Sequence, residues 1–477
     1  MWKSRSSDKA LPLAVRHAAP KHDRGHEYMR YTTAISPPEV LAMGQSVDGA
    51  IAAEIPGLLS DDGTWVSRRL FFDPELYEIE KHRVFGRSWL MVGHESQIPN
   101  PGDFFLSFMG EQSVIVVRDN EGAIRVHLNT CPHRGMPVCR EDRGNARTFF
   151  CAYHGWNFSR DGRLVGLPNQ RASYPEDFDK SNLGLIGVPR IETYCGLIFA
   201  NHDAEAMSLE DYLGDMTWYL DTSLNRREGG VEVVGVQKWR IGTNWKLPAE
   251  NMIGDVAHAP ATHSSVFQIV PGDPASDQAL KSVLEYGRNV ALPHGHGGTF
   301  RLYPKDDTDG RLPGESTLRG VPGVGEYLAS VQDEAEERLG DVRKRVKIAT
   351  CTTFPNFSLL GSNFTFRVAH PRGPMKSEVW SWVFVDRDAP TEVKDAMRKF
   401  FSLTFGPGGI FEQDDGENWE GVTYGASGVG TRDHAFHYGA GLDAGRHPEL
   451  PGTVSTAYSE HTQRGMYRRW HDLMLTP

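Results

Sequence analysis

Two short cysteine–histidine pairs constrain this chain more than any other feature. They are Cys131-Pro132-His133 and Cys151-Ala152-Tyr153-His154, with residues 134–150 between them. Two thiolates and two imidazoles suit a tetrahedral zinc. They also suit a [2Fe–2S] cluster with both cysteines on one iron and both histidines on the other. Zinc modules usually pair Cys with Cys and His with His along the chain. Here each loop supplies one of each, as two loops clasping a two-iron cluster from opposite sides require. Gly135 and Gly155 follow the pairs and let backbone amides approach inorganic sulfides. Such a cluster passes electrons and makes no bonds by itself. Cys139, Cys195 and Cys351 fall outside the pattern and read as small hydrophobes.

Composition excludes several function classes. The chain has 477 residues, more than one ordinary domain. Apolar residues are 39%, enough for a packed core. Lys+Arg 51 against Asp+Glu 62 leaves −11, which argues against a nucleic-acid-coating surface. No apolar run approaches the ~20 residues of a membrane-spanning helix. The N-terminus lacks the apolar core of a secretory signal, and five cysteines are too few and odd for a disulfide framework. A cytoplasmic protein is therefore expected.

Patterning predicts a polar, mobile tail over residues 1–50 and an N-terminal segment over 51–84. From Trp89 the pattern turns β, with strands expected at Phe104 to Met109, Ser113 to Arg118, Ile124 to Leu128 and Leu197 to Ala200. Asp119-Asn120-Glu121-Gly122 reads as a hairpin turn. An all-β domain is placed at 85–205 and a mixed domain at 206–477, making the chain α+β. In the second domain Leu209 to Leu220, Gly325 to Val346, Thr391 to Leu403 and Ser459 to Leu473 read as helices. Val231 to Ile241, the region of Val368 and Val379 to Val385 read as strands. Lys246 to Ala259 is helix-like up to Pro260. The Gly- and Pro-rich stretch 285–325 is expected to be a long loop or lid.

A second constellation lies at Asp255-Val256-Ala257-His258-Ala259-Pro260-Ala261-Thr262-His263. Asp255 and His258 are i and i+3, neighbours on one helical face. His263 is about 140° further round a regular helix at ~3.6 residues per turn, so an unbroken helix would not converge the imidazoles. A break at Pro260 would let His263 swing back. Two histidines and a carboxylate make the facial triad of non-haem iron oxygenases. Asp255 is better placed to hold His258 from behind, so the carboxylate must come from elsewhere. The candidate is the acidic run Phe411-Glu412-Gln413-Asp414-Asp415-Gly416-Glu417-Asn418-Trp419, a composition that in a helix is ordinarily a solvated face.

The CPHRG and CAYHGW loops resemble the Rieske motif. Together with NWKLPAEN, GDVAHAPATH, TFGPGGIFEQDDGENW and the C-terminal RGMYRRWHDLM, they resemble the large (α) subunit of Rieske ring-hydroxylating dioxygenases, from about residue 60 to the end. The resemblance implies an all-β Rieske domain and a catalytic domain of antiparallel sheet and helix, of the helix-grip, START-like kind. It implies Cys131, His133, Cys151 and His154 as [2Fe–2S] ligands. It also implies His258, His263 and Asp415 as ligands of a mononuclear Fe(II), with Asp414 as the second choice. Asp255 would be the catalytic electron bridge, linking His154 of one chain to His258 of the next in an α3β3 assembly with a small β subunit.

The implied reaction is cis-dihydroxylation of a small aromatic substrate with O2. Electrons would come from NAD(P)H through a separate reductase, with or without a ferredoxin, since the chain shows no convincing nucleotide-binding glycine motif. By position in the matched motifs, Asn251, Val256, Ala257, Phe405 and Phe411 are pocket-wall candidates; so are Leu359, Leu360 and His296 in the Gly-rich loop. Arg301 or Arg367 could meet a carboxylated substrate, although a structural arginine is the simpler reading of each. Two positions depart from the family: Ala257 and Ala369 stand where related chains often carry Tyr and Trp. The competing functions are a Rieske monooxygenase and an electron carrier with an inactive second domain.

Overall fold

The computed structural model describes residues 49–269, 283, 285–307 and 316–476. The expected tail over 1–50 lies almost wholly outside them. No helix of the described residues is long and apolar enough to cross a membrane.

The β-rich part follows the alternation seen in the sequence. Ile124–Leu128, Gln112–Arg118, Asp103–Met109 and Arg143–Asn145 form a four-stranded antiparallel sheet in that order. Asp119 closes the expected hairpin, its carboxylate accepting the backbone N–H of Glu121 at 3.0 Å and of Ala123 at 2.8 Å. A smaller sheet joins Thr148–Phe150, Asn157–Ser159 and Leu164–Gly166. Phe104, Ile115, Val117, Phe149 and Phe158 fill the core between them, and Cys131, Cys151 and Trp156 belong to that same core.

The larger part is built on a nine-stranded antiparallel sheet. Its spatial order is Val231–Ile241, Ser377–Asp386, Thr365–Pro371, Phe357–Leu360, Val346–Thr353, Gly297–Leu302, Gly287–Ala291, Thr453–Thr456 and Gly445–Arg446. The stretch expected as a loop or lid therefore contains two sheet strands, Gly287–Ala291 and Gly297–Leu302. Their glycines mask the β pattern. Gly297 and Gly298 lie so close to the flanking strands that a side chain there would collide with them. The C-terminal helix His461–Leu475 packs on both strands.

Other element boundaries also shift. The helix expected over 209–220 divides into Leu209–Leu213 and Met216–Leu224 around Gly214. The helix expected to Val346 divides into Val324–Ser330 and Gln332–Arg343, and Val346 opens a strand. The helix before the histidines ends earlier than expected, at Met252. Gly254 turns the chain with φ +144, and a Cβ there would lie 2.7 Å from Thr462 Oγ1. Pro260 does not end a helix; it sits in the first turn of Ala259–Thr262, where its missing N–H costs nothing.

A buried ion pair fixes the N-terminal segment to this part. Asp73 caps the helix Pro74–Arg83, which carries Glu80 inward. Glu80 pairs with Lys246 and accepts the indole N–H of Trp245 at 3.0 Å and of Trp470 at 2.7 Å. The Lys246 ammonium also donates to the Leu70 carbonyl at 2.8 Å. Burial lowers the lysine pKa while Glu80 opposes that shift.

Candidate functional site: two loops and a two-histidine centre

The two Cys–His loops differ in spacing but share one backbone design. Cys131 N–H donates to the Met136 carbonyl at 2.9 Å, and Gly135 N–H donates back to the Cys131 carbonyl at 2.8 Å. Cys151 repeats this with Trp156 and Gly155, at 2.8 and 2.9 Å. Each loop is thus a five-residue turn closed by a glycine with φ +74 or +73. The turns bring the His133 and His154 rings to 4.5 Å between centroids, and the Trp156 indole stacks on His133 at 4.9 Å. Both cysteines are buried and free. Burial and the adjacent Cys151 push the Cys131 thiol pKa up, while the His133 and Arg134 amides pull it down.

These four residues fit a two-iron cluster better than a single metal. Among the described residues, His258, His263 and Asp415 bring three ligand atoms within 4.8 Å of one another. No three of Cys131, His133, Cys151 and His154 do so, whereas a tetrahedral zinc with bonds of ~2.0–2.3 Å would require it.

The second centre is assembled from two distant segments. After the Gly254 turn, Val256–His258 forms a single 3-10 turn that leads into Ala259–Thr262. This compact path, rather than a proline kink, converges the two imidazoles. Opposite them, the helix Glu412–Ser427 presents Asp415, whose side chain is 2% exposed. Asp415 Oδ1 lies 3.2 Å from His258 Nε2 and 3.5 Å from His263 Nε2. It is buried and has no hydrogen-bond partner beyond the two imidazoles. A buried carboxylate oxygen left this way is costly unless a cation completes it. Two imidazole nitrogens and one carboxylate oxygen are the donor set of a non-haem iron site.

Each ring is also held on its far side. His258 Nδ1 lies 3.6 Å from Asp255 Oδ2, close to the Asp255 carbonyl, and 3.3 Å from Asn251 Nδ2. His263 Nδ1 lies 3.2 Å from Asp414 Oδ2. Burial alone would lower the His258 pKa, but its contacts with Asp255 and Asp415 raise it to about 10. A divalent cation held there would take the place of that proton.

The remaining wall candidates separate into two groups. Phe411 meets His263 edge-on at 5.1 Å and stacks on Phe405 at 5.1 Å and 11°. Val256 packs with Ala349 and Ala457, and Ala257 sits between Val256 and His258. Leu359 and Leu360 are buried in the main hydrophobic cores. His296 is fully committed to backbone: Nε2 to the Tyr212 carbonyl at 2.8 Å and Nδ1 to the Phe354 N–H at 3.0 Å. Burial holds its pKa down at about 3, so it stays neutral.

Arg367 Nη1 donates to buried Glu412 at 2.9 Å. Burial pushes Glu412 up to about 7 against the pull of Arg367, and Asp415 adds to the rise. Ala369 is buried, its carbonyl bound by Asn356 Nδ2 at 2.8 Å. The sequence reading did not assign Asn251 or Asp414 to the histidines' outer nitrogens. For Asp414 the available signal was its position beside Asp415, since consecutive helical residues point ~100° apart and can straddle one ring.

The comparisons with known proteins agree with this construction. Residues 209–476 match the catalytic domain of ring-hydroxylating alpha subunits, and residues 88–190 match the Rieske [2Fe-2S] domain. The chain is similar to the biphenyl 2,3-dioxygenase subunit alpha of Rhodococcus jostii, with 41% identity over 434 residues, 89% of this chain and 92% of that one. It is 39% identical to a benzene 1,2-dioxygenase subunit alpha of Pseudomonas putida over 89% of this chain and 94% of that one. Among solved structures, naphthalene 1,2-dioxygenase from Rhodococcus sp. bound to indole superimposes with a TM-score of 0.79 at 36% identity, covering 90% of this chain and 100% of that one. With both domain types present in one chain and two-fifths identity along most of its length, the protein belongs to the Rieske non-haem iron ring-hydroxylating dioxygenases, as an α subunit.

Proposed function

We propose that this chain adds both atoms of O2 to an uncharged aromatic ring, giving a cis-dihydrodiol, and that His258, His263 and Asp415 hold the iron where this occurs. The observation that carries the reading is the convergence of two imidazole Nε2 atoms on one buried, otherwise unpartnered carboxylate oxygen. Bound there, Fe(II) supplies O2 activation, which no side chain provides. Cys131, His133, Cys151 and His154 hold the cluster that delivers electrons. Asp255 is 39% exposed on its side chain, so it can hold His258 and still reach an electron donor outside its own domain. That donor is His154 of a neighbouring chain in an α3β3 assembly.

Several features favour an uncharged substrate. Phe411 meets His263 edge-on and stacks on Phe405, so apolar ring surface lies beside the centre. The buried Arg367 is tied to Glu412 at 2.9 Å. The relatives are named for biphenyl, benzene and naphthalene. As an α subunit of a multicomponent dioxygenase, the chain works with a β subunit and electron-transfer proteins. These are a ferredoxin, a reductase or both, fed by NAD(P)H.

The test is product analysis with the reductase chain supplied, against monocyclic, polycyclic and carboxylated aromatics under labelled O2. The expected product carries two labelled oxygens on adjacent carbons of an uncharged ring. A product with one labelled oxygen would move the chain to the monooxygenases, and a strict preference for carboxylated rings would overturn the apolar pocket.

A further inference from the structure

We infer that Asp414 is a positioning residue for His263: it holds Nδ1–H so that Nε2 presents its lone pair to the metal. This rests on the reading of His258, His263 and Asp415 as the iron ligands. It gives Asp414 a role other than that of a substitute ligand.

The geometry is a grip on one ring by two consecutive residues. Asp415 faces His263 Nε2 at 3.5 Å, and Asp414 Oδ2 lies 3.2 Å from Nδ1 on the opposite edge. Both carboxylates come from the first turn of the helix Glu412–Ser427, where the helix dipole favours negative charge. Their exposures differ as the roles require: 2% for the Asp415 side chain and 27% for that of Asp414. Phe411 closes the edge of the ring at 5.1 Å, so His263 is confined by one short stretch of chain.

A neutral imidazole carries its proton on one nitrogen only, and the partner of the other nitrogen decides which. A carboxylate at Nδ1 fixes the metal-binding tautomer and makes Nε2 more basic. His258 Nδ1 is held instead by the Asp255 carbonyl, with the Asp255 carboxylate further off at 3.6 Å. The two carboxylates therefore divide the work. Asp255 faces outward along the electron path, whereas Asp414 serves only the metal geometry.

The experiment is titration of the iron-depleted mononuclear site with Fe(II), and with Co(II) as a spectroscopic stand-in, in protein whose Rieske cluster is intact. Four variants are compared: Asp414→Ala, Asp414→Glu, Asp415→Asn and, as a control on an exposed acid of the same helix, Glu417→Gln. The expected result for Asp414→Ala is metal affinity weakened about 10- to 100-fold. One site should still fill at saturation, and the Co(II) ligand-field bands should change. Asp414→Glu should recover part of the affinity, and Glu417→Gln should match the parent.

Equal affinities for Asp414→Ala and Glu417→Gln would overturn the proposal. So would weakened affinity with unchanged Co(II) bands, since that is loss of charge without loss of ring orientation. The triad reading fails separately: Asp415→Asn would then keep its mononuclear metal, and Asp414→Ala would be the variant that cannot be filled.

Discussion

The cysteine–histidine loops and the two-histidine centre hold their ligands by opposite means. The loops are local: Cys131 and Cys151 each sit in a turn closed by hydrogen bonds to residues four and five further on. The iron centre is global: Asp415 reaches His258 and His263 only because the helix Glu412–Ser427 packs beside the 3-10 turn Val256–His258. A local site survives distant damage, whereas a global one depends on every element that positions its parts. Substitutions can separate the two.

The largest effect should come from the ligands themselves. Asp415→Asn should lower iron from three to two per chain, abolish ring hydroxylation and leave the visible spectrum of the cluster unchanged. Cys151→Ser should do the reverse, removing the cluster while a single iron still binds. Iron analysis beside absorbance checks both. Loss of all three irons in either variant would mean that the sites are not independent.

Asp255→Asn tests the link between the regions. It should lower turnover at least about 100-fold, with both metal complements retained, because the amide still holds His258 but no longer offers a carboxylate to the donor. Rapid mixing of the reduced protein with O2 and substrate checks it: the cluster should remain reduced. Cluster oxidation at the parent rate would break the bridge assignment.

How far each region was legible in the sequence follows from the same contrast. Cys131, His133, Cys151 and His154 stand out because all four and both turn glycines fall in one short stretch. His258 and His263 are also visible as a pair, but the path between them is not. Pro260 looked like the break, whereas Gly254, squeezed against Thr462 and Asn289 from remote segments, makes it. Only tertiary packing gives that glycine its meaning. The strands Gly287–Ala291 and Gly297–Leu302 were hidden similarly, because glycine carries no alternating pattern. Asp415 is chosen over Asp414 only by resemblance; in the fold the Asp415 side chain is the more buried of the two. Leu359 and Leu360 are buried, and a core residue and a wall residue look identical in sequence.

A stability experiment sharpens the contrast. Lys246→Met leaves Glu80 buried and charged, and should cost about 3–5 kcal/mol. Lys246 begins the helix that ends just before Gly254, so this loss falls on the iron side of the molecule. Urea denaturation should show the transition reported by tryptophan fluorescence moving to lower urea. Cluster absorbance should follow it less than fully. A single coincident transition would show that the two regions unfold as one.

The smallest effect separates the regions by pH. Glu250 lies in the same helix and accepts from the Tyr438 hydroxyl at 3.0 Å and from the Tyr467 hydroxyl. Burial raises its carboxyl from 4.5 to about 8; the tyrosines oppose this, whereas Asp255 and Glu460 add to it. A carboxyl raised on folding binds its proton more tightly in the folded chain. The resulting stability is fully present below about 4.5 and is lost as pH rises through about 8. Glu250→Gln keeps the shape with one acceptor oxygen and an NH2 donor in place of the other; it cannot ionise, so it should not share that loss. Its melting temperature should gain on the parent's steadily across this window and level off above it. A constant offset at every pH would mean that Glu250 folds and unfolds with the same proton affinity, and that the tyrosine pair, rather than the buried acid, is what the iron side requires.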